Sequence, residues 1–187
     1  MNFYSEYGED RFLFERFPEF FSTPQYYVDC GCAHPSIGSN TAFLRELGWK
    51  GLHIDGDPVW SPHWQGSFVH AVLHTEERVR FDCNPVSCLS RVGQGEPNIQ
   101  SRRLDSLLKE HQVDRIGFLS IDCEGQELAV LESMSGFENW PPFICSEYNT
   151  AGIGEDYSVA NLLLRKGYSI IHQTIANFVY YDDSRVR

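Results

Sequence analysis

A chain of 187 residues, 42% hydrophobic and 22% charged, is long enough to bury one proper core without disulfide or metal staples. Its formal net charge of −11 argues against nucleic acid as the main partner, because phosphate binding needs clustered lysine and arginine, and it equally disfavours an anionic membrane surface. No apolar run approaches the roughly 20 residues that a membrane span needs, and the first residues show no basic-then-apolar leader, so cytoplasmic residence is the default expectation.

The expected organisation is one domain over 1–187, with 1–25 as an N-terminal helical segment packed on it. Residues 10–21 read as an amphipathic helix whose apolar residues are Phe12, Leu13, Phe17, Phe20 and Phe21. Such a stripe is read first as core packing, with a lid over a site as the alternative. A first strand follows at 26–29, and 41–47 reads as a helix stopped by Gly48. Strands are expected at 51–55 and 67–73, with an extra alternating strand at 78–82 and a loop-rich stretch over 85–99. Further on come a helix at 104–111, a strand at 116–121, a helix at 128–134, a strand at 143–146 and a helix at 159–166. Residues 168–171 and 178–181 can close as a terminal hairpin. Alternating strands and helices of this kind predict an α/β domain around a largely parallel sheet.

In open α/β sheets ligands bind beyond the carboxyl ends of the strands. Four predicted strands deliver an acid there: Asp29, Asp55, Asp122 and Glu147. The first lies in Tyr27-Val28-Asp29-Cys30-Gly31-Cys32-Ala33, a strand running into small residues, with Gly38-Ser39-Asn40-Thr41 before the next helix. Small residues let the backbone approach a ligand closely. The loop lacks G-x-G-x-x-G and leads with an acid, which suits a ligand with a cationic, donor-rich end rather than a pyrophosphate. S-adenosylmethionine, with its ammonium and sulfonium, fits that description. Asp55 follows Gly31 at close to the ~20-residue spacing at which an acid accepts from a cofactor ribose, with a turn acid before Gly56-Asp57-Pro58 as the alternative.

The second dense motif is Ile121-Asp122-Cys123-Glu124-Gly125-Gln126-Glu127. In extended backbone Asp122 and Glu124 would face one side. Two close carboxylates can hold a divalent cation, share a proton and serve as a general base, or hydrogen-bond substrate and cofactor hydroxyls. Glu127 reads as a cap complementing the dipole of the next helix. His34, in the first loop, is a candidate acid or base, although loop histidines more often only touch ligand or solvent. The six cysteines show no zinc spacing: Cys30 and Cys32 form C-x-C, and Cys83 and Cys88 are separated by four residues.

These motifs, in this order, resemble the FkbM family of S-adenosylmethionine-dependent methyltransferases. The match starts at Ser5-Glu6-Tyr7-Gly8-Glu9-Asp10, where the family usually has Ser-Gln before Gly-Glu-Asp, and runs through the Asp29 loop and Gly48-Trp49-Lys50-Gly51. It continues in Ile54-Asp55-Gly56-Asp57-Pro58 and Arg103-Leu104-Asp105-Ser106-Leu107, and closes on the Asp122 motif and Glu147. The resemblance implies a Rossmann-like class I methyltransferase fold: a mostly parallel seven-stranded sheet with an antiparallel terminal hairpin. It also implies transfer of a methyl group to a hydroxyl of a small molecule, sugar, glycolipid or polyketide. By position Asp29, Gly31, Ala33, Asn40, Asp55 and Asp122 would bind the cofactor, Asp122 and Glu124 would stand near the transferring methyl with His34 as a further catalytic candidate, and Glu147 would bind substrate. The family commonly has Glu at the position of Asp55.

A base or a metal is expected to take the acceptor proton; a magnesium ion on Asp122, Glu124 and Glu147 stays open as a variant, with no metal site as the favoured reading. The stretch 81–100, with Asn84-Pro85 and Gly93-Gln94-Gly95, is the candidate acceptor-facing loop. Two rival readings use the same residues: a metal-dependent hydrolase built on the acidic cluster, and a non-catalytic binding protein that keeps the fold.

Overall fold

The computed structural model describes residues 2–64 and 68–186. Two short helices, α1 (Glu9–Arg16) and α2 (Pro18–Phe21), replace the single helix expected over 10–21. The break falls at Phe17 (φ −132°, ψ 53°), because a residue before proline is pushed out of the helical region. Next come β1 (Tyr26–Cys30), α3 (Ala42–Glu46), β2 (Lys50–Asp55), a 3-10 turn at Pro58–His63 and β3 (Phe68–His70). The expected strand at 67–73 is thus shorter, and its first residue lies outside the described residues. β4 (Arg78–Asp82), β5 (Arg91–Gly93) and β6 (Ile99–Gln100) precede α4 (Leu104–Glu110), β7 (Phe118–Ile121) and α5 (Glu127–Glu132). The chain then forms β8 (Phe143–Glu147), the short strands β9 (Asn149–Thr150) and β10 (Gly154–Glu155), α6 (Ser158–Arg165), β11 (Ser169–Gln173) and β12 (Asn177–Tyr181).

Seven strands form the main sheet in the order β11-β12-β8-β7-β1-β2-β3. The five from β8 to β3 run parallel, whereas β12 lies antiparallel to both β8 and β11. The chain winds outward from β1 in both directions, so the switch point lies between β1 and β7, where Asp29 pairs with Ser120 and Cys30 with Ile121. Strand alternation decides which face each side chain covers. Val28, Leu119, Ile144 and Tyr180 pack with Leu107 of α4, Val130 of α5 and Leu163 of α6. Their neighbours Tyr27, Phe118, Phe143 and Val179 face the other way, onto Leu13 of α1, Phe21 of α2 and Phe43 and Leu44 of α3. The N-terminal aromatic stripe is therefore core: Phe21 stacks on Trp49 at 5.8 Å and meets Phe118 edge-on at 6.2 Å.

The stretch expected to be loop-rich instead carries β5, which joins β4 and β6 in a small antiparallel sheet ordered β5-β4-β6. Among the described residues no helix is long and apolar enough to cross a membrane.

Candidate active site

A cavity of about 750 Å³ opens beyond the carboxyl ends of β1, β2, β7 and β8. The structure brings every sequence-predicted site residue to its wall: Asp29, Gly31, Ala33, His34, Asn40, Asp55, Asp122, Glu124 and Glu147. That volume falls within the range of small-molecule sites.

On the β1–β2 side the loop is built by its own backbone. Gly31 (φ +77°) donates its N–H to the Ile54 carbonyl at 2.8 Å, and a β-carbon there would run into the carbonyl oxygen of Asp122. Only glycine lets the β1 turn pass so close to the strand beside it. Ala33 (φ +40°) donates to Oδ2 of Asp55 at 2.9 Å, and its carbonyl accepts from Nε1 of Trp64 at 2.8 Å. Oδ1 of Asp55 accepts from the Asp57 N–H at 2.8 Å, so both oxygens of this acid hold backbone. Burial raises Asp55 to about 6. Asp29 is buried and accepts from Thr41 Oγ1 at 2.5 Å; burial lifts it to about 6 as well. Oγ of Ser39 accepts from the N–H groups of Thr41 and Ala42 and so starts α3, leaving buried Asn40 on the cavity wall between them. His34 stands with the 3-10 turn, its ring edge-on to Trp60 at 6.3 Å and 5.3 Å from His63.

Acids dominate the β7–β8 side. Asp122 leaves β7 with its N–H bonded to the Cys30 carbonyl at 2.9 Å. Glu124 has φ +55°, so the expected extended spacing from Asp122 does not occur; the turn, not strand alternation, brings both to the cavity. Oε1 of Glu127 accepts from the N–H groups of Cys123 (2.8 Å) and Gly125 (3.2 Å), bracing that turn from the first residue of α5. Oε2 of Glu147 accepts from Thr150 Oγ1 at 2.7 Å. Burial, reinforced by Glu147 and then Glu124, pushes Asp122 well above the ordinary carboxylate range. Burial and then Glu147 raise Glu124 to about 7, and its Oε2 is buried without a hydrogen-bond partner. Glu124, raised to about 7, can hold and exchange a proton near neutral pH. No group of three His, Cys, Asp or Glu side chains suited to a metal ion occurs among the described residues.

Sequence reasoning missed the wall that Glu6 and Tyr7 contribute. They reach the cavity because Asp10, fully buried, gathers the preceding turn: it accepts from the N–H groups of Tyr4, Ser5 (3.1 Å) and Arg11 (2.7 Å) and from Ser5 Oγ (2.6 Å). Oε1 of Glu9 accepts from Thr174 Oγ1 at 3.0 Å and Asn177 Nδ2 at 2.8 Å, tying this turn to the β11–β12 hairpin. The Ser5-to-Asp10 motif was the signal, but its partners lie at the far end of the chain.

Strand order with a single reversed strand, a glycine-bearing turn between β1 and α3, and an acid ending β2 give the Rossmann-like class I methyltransferase fold. The sequence model of the methyltransferase FkbM domain matches residues 29–170, most of the chain, and the chain belongs to that family of S-adenosylmethionine-dependent methyltransferases. No curated protein matches it. The residues present fit that cofactor in their chemistry: the cavity wall carries buried carboxyl groups able to accept from an ammonium or from ribose hydroxyls.

Proposed function

We propose that this enzyme methylates a hydroxyl oxygen of a small-molecule or glycan acceptor, such as a sugar, glycolipid or polyketide. The observation that carries the reading is the convergence of Asp29, Asp55, Asp122 and Glu147, from four adjacent parallel strands, on one cavity. S-adenosylmethionine, when bound, supplies a methyl group already activated on sulfonium. In this reading Asp29, Gly31, Ala33 and Asn40 hold its amino-acid end, Asp55 its ribose, and Asp122 lies beside the transferring methyl.

The protein's remaining work is alignment and removal of one proton. Asp122 or Glu124 takes the proton from the acceptor hydroxyl, and Glu147 holds the acceptor. Their raised affinity for protons supports this assignment. The place of His34 among Trp60 and His63 supports ligand contact over proton transfer. All six cysteines are unpaired, which supports residence in a reducing cytoplasm.

Calorimetric titration with S-adenosylhomocysteine, with and without magnesium, tests the cofactor site: saturable binding at one site is expected in both. Failure to bind by folded protein would overturn the reading, and binding only with magnesium would move the metal variant forward. Asp122→Asn is expected to lower turnover about 10²–10⁴-fold with S-adenosylhomocysteine affinity kept within about threefold. A large loss of affinity with normal turnover would remove Asp122 from the base role.

A further inference from the structure

The cavity is electrostatically one-sided. Among the described residues six carboxyl side chains line it, Glu6, Asp29, Asp55, Asp122, Glu124 and Glu147, and no lysine or arginine does. Arg45 acts on Asp29, and Arg91 on Glu124, from outside the lining. Asp29 and Asp55 are supplied with donors by Thr41, Ala33 and Asp57. On the other side Thr150 serves Glu147, whereas Oε2 of Glu124 is buried with no hydrogen-bond partner among the described residues. Whatever fills this half must bring donors with it. An anion entering would meet those carboxyl groups of the wall that are ionised, with no lining lysine or arginine among the described residues to offset them.

We propose that the acceptor half of the cavity selects by charge: it takes a hydroxyl compound bearing a protonated amine, an amino sugar or amino alcohol, and excludes phosphorylated, sulfated and carboxylated acceptors. The proposal rests on the methyl-transfer reading for the fate of the ligand, while the selection itself follows from the wall. Glu6 at the mouth sets the field an entering molecule first meets, and Glu124 and Glu147 meet the amine within. Specificity of this kind comes as much from rejecting the wrong partner as from holding the right one.

Cys88 offers a built-in reporter, because its exposed thiol lines the same cavity and feels Glu124, Asp122 and Glu6. In a Cys83→Ser background it can be labelled with trimethylammonium-ethyl or sulfonatoethyl methanethiosulfonate, the thiolate displacing methanesulfinate in both cases. Thiolate content is common to both reactions, so the rate ratio reads local potential alone. Relative to a free thiol peptide, the cationic reagent is expected to gain about tenfold over the anionic one, and Glu6→Gln to remove at least half of that gain. Labelling with the neutral methyl reagent, at saturating S-adenosylhomocysteine and fixed ionic strength, should be slowed by glucosamine and not by glucose 6-phosphate. A ratio equal to that of the free peptide, protection by the phosphate, or no protection by the amine would overturn charge selection. Intact S-adenosylhomocysteine binding in that case leaves the methyltransferase reading standing, and its loss would sink that reading separately.

Discussion

At the scale of single residues the site uses short side chains with two duties. Asp55 holds the backbone of Ala33 and Asp57 with its two oxygens, and a carboxylate oxygen retains further lone pairs for a ribose hydroxyl. The shorter acid is thus drawn back into the loop it organises. Asp29 is a buried carboxyl that accepts from the Thr41 hydroxyl, raised from 3.8 to about 6 by burial. The folded protein keeps a proton that the unfolded chain releases near 3.8, so this group's stabilisation is full below pH 3.8 and is lost as pH rises through 6. Asparagine would keep an acceptor for Thr41 without the charge. Asp29→Asn is therefore expected to stabilise the apo protein by about 2 kcal/mol at pH 8, roughly 4–8 °C in melting temperature, while weakening S-adenosylhomocysteine binding. The gain should shrink by pH 4.5; equal shifts at both pH values would contradict the assignment.

At the scale of elements, tethers shape the cavity mouth. The Tyr4–Gly8 turn is held by Asp10 and docked by Glu9, although neither acid lines the cavity. Asp10→Ala removes the acceptor of several part-buried donors, and a loss of about 2–3 kcal/mol is expected by denaturant unfolding. Hydrogen exchange should localise the released protection to the residues before α1, and uniform loss across the sheet would argue against a local clamp. Much of this level was readable from the chain: β4 falls where alternation puts it, and the four acid-bearing strands stand in the expected places. Local pattern failed where pairing is made at a distance or set by a turn. β5 and β9 are too short for a periodic signal and exist because β4 and β10 lie beside them. Glu124 left its expected face through a left-handed backbone that Glu127 stabilises from four residues beyond Cys123. The break at Phe17 was legible in Pro18 but was outweighed by a continuous aromatic stripe.

At the scale of the whole molecule, the two faces of the sheet are covered unequally in kind. Aliphatic side chains dominate under α4 to α6, whereas the other face depends on aromatics, several of them supplied by α1 and α2. Phe17 and Phe21 meet Phe143 at 4.9 and 5.0 Å, and Leu13 and Phe21 are fully buried. Removing residues 2–21 strips at least about 5 kcal/mol of apolar burial, comparable to the whole stability of an ordinary domain. Such a truncation is expected to bind a hydrophobic dye and lose its near-ultraviolet dichroism. A native-like thermal transition would show that this segment is an accessory instead.

The hydrogen bond from Asn177 to Glu9 joins residues 168 apart in the chain. β12, the last strand, lies inside the sheet between β8 and β11 rather than at its edge. On the ribosome, β8 is made before β12 and waits with an open edge until the residues of β12 emerge, a delay on the order of a few seconds at ordinary elongation rates. During that interval the cavity lacks Ile175 and Asn177, and Glu9 lacks the Thr174 and Asn177 donors that tie the N-terminal turn to the hairpin. The nascent chain can therefore assemble much of its core before the wall that holds a substrate is whole, and competence for methyl transfer waits on β12.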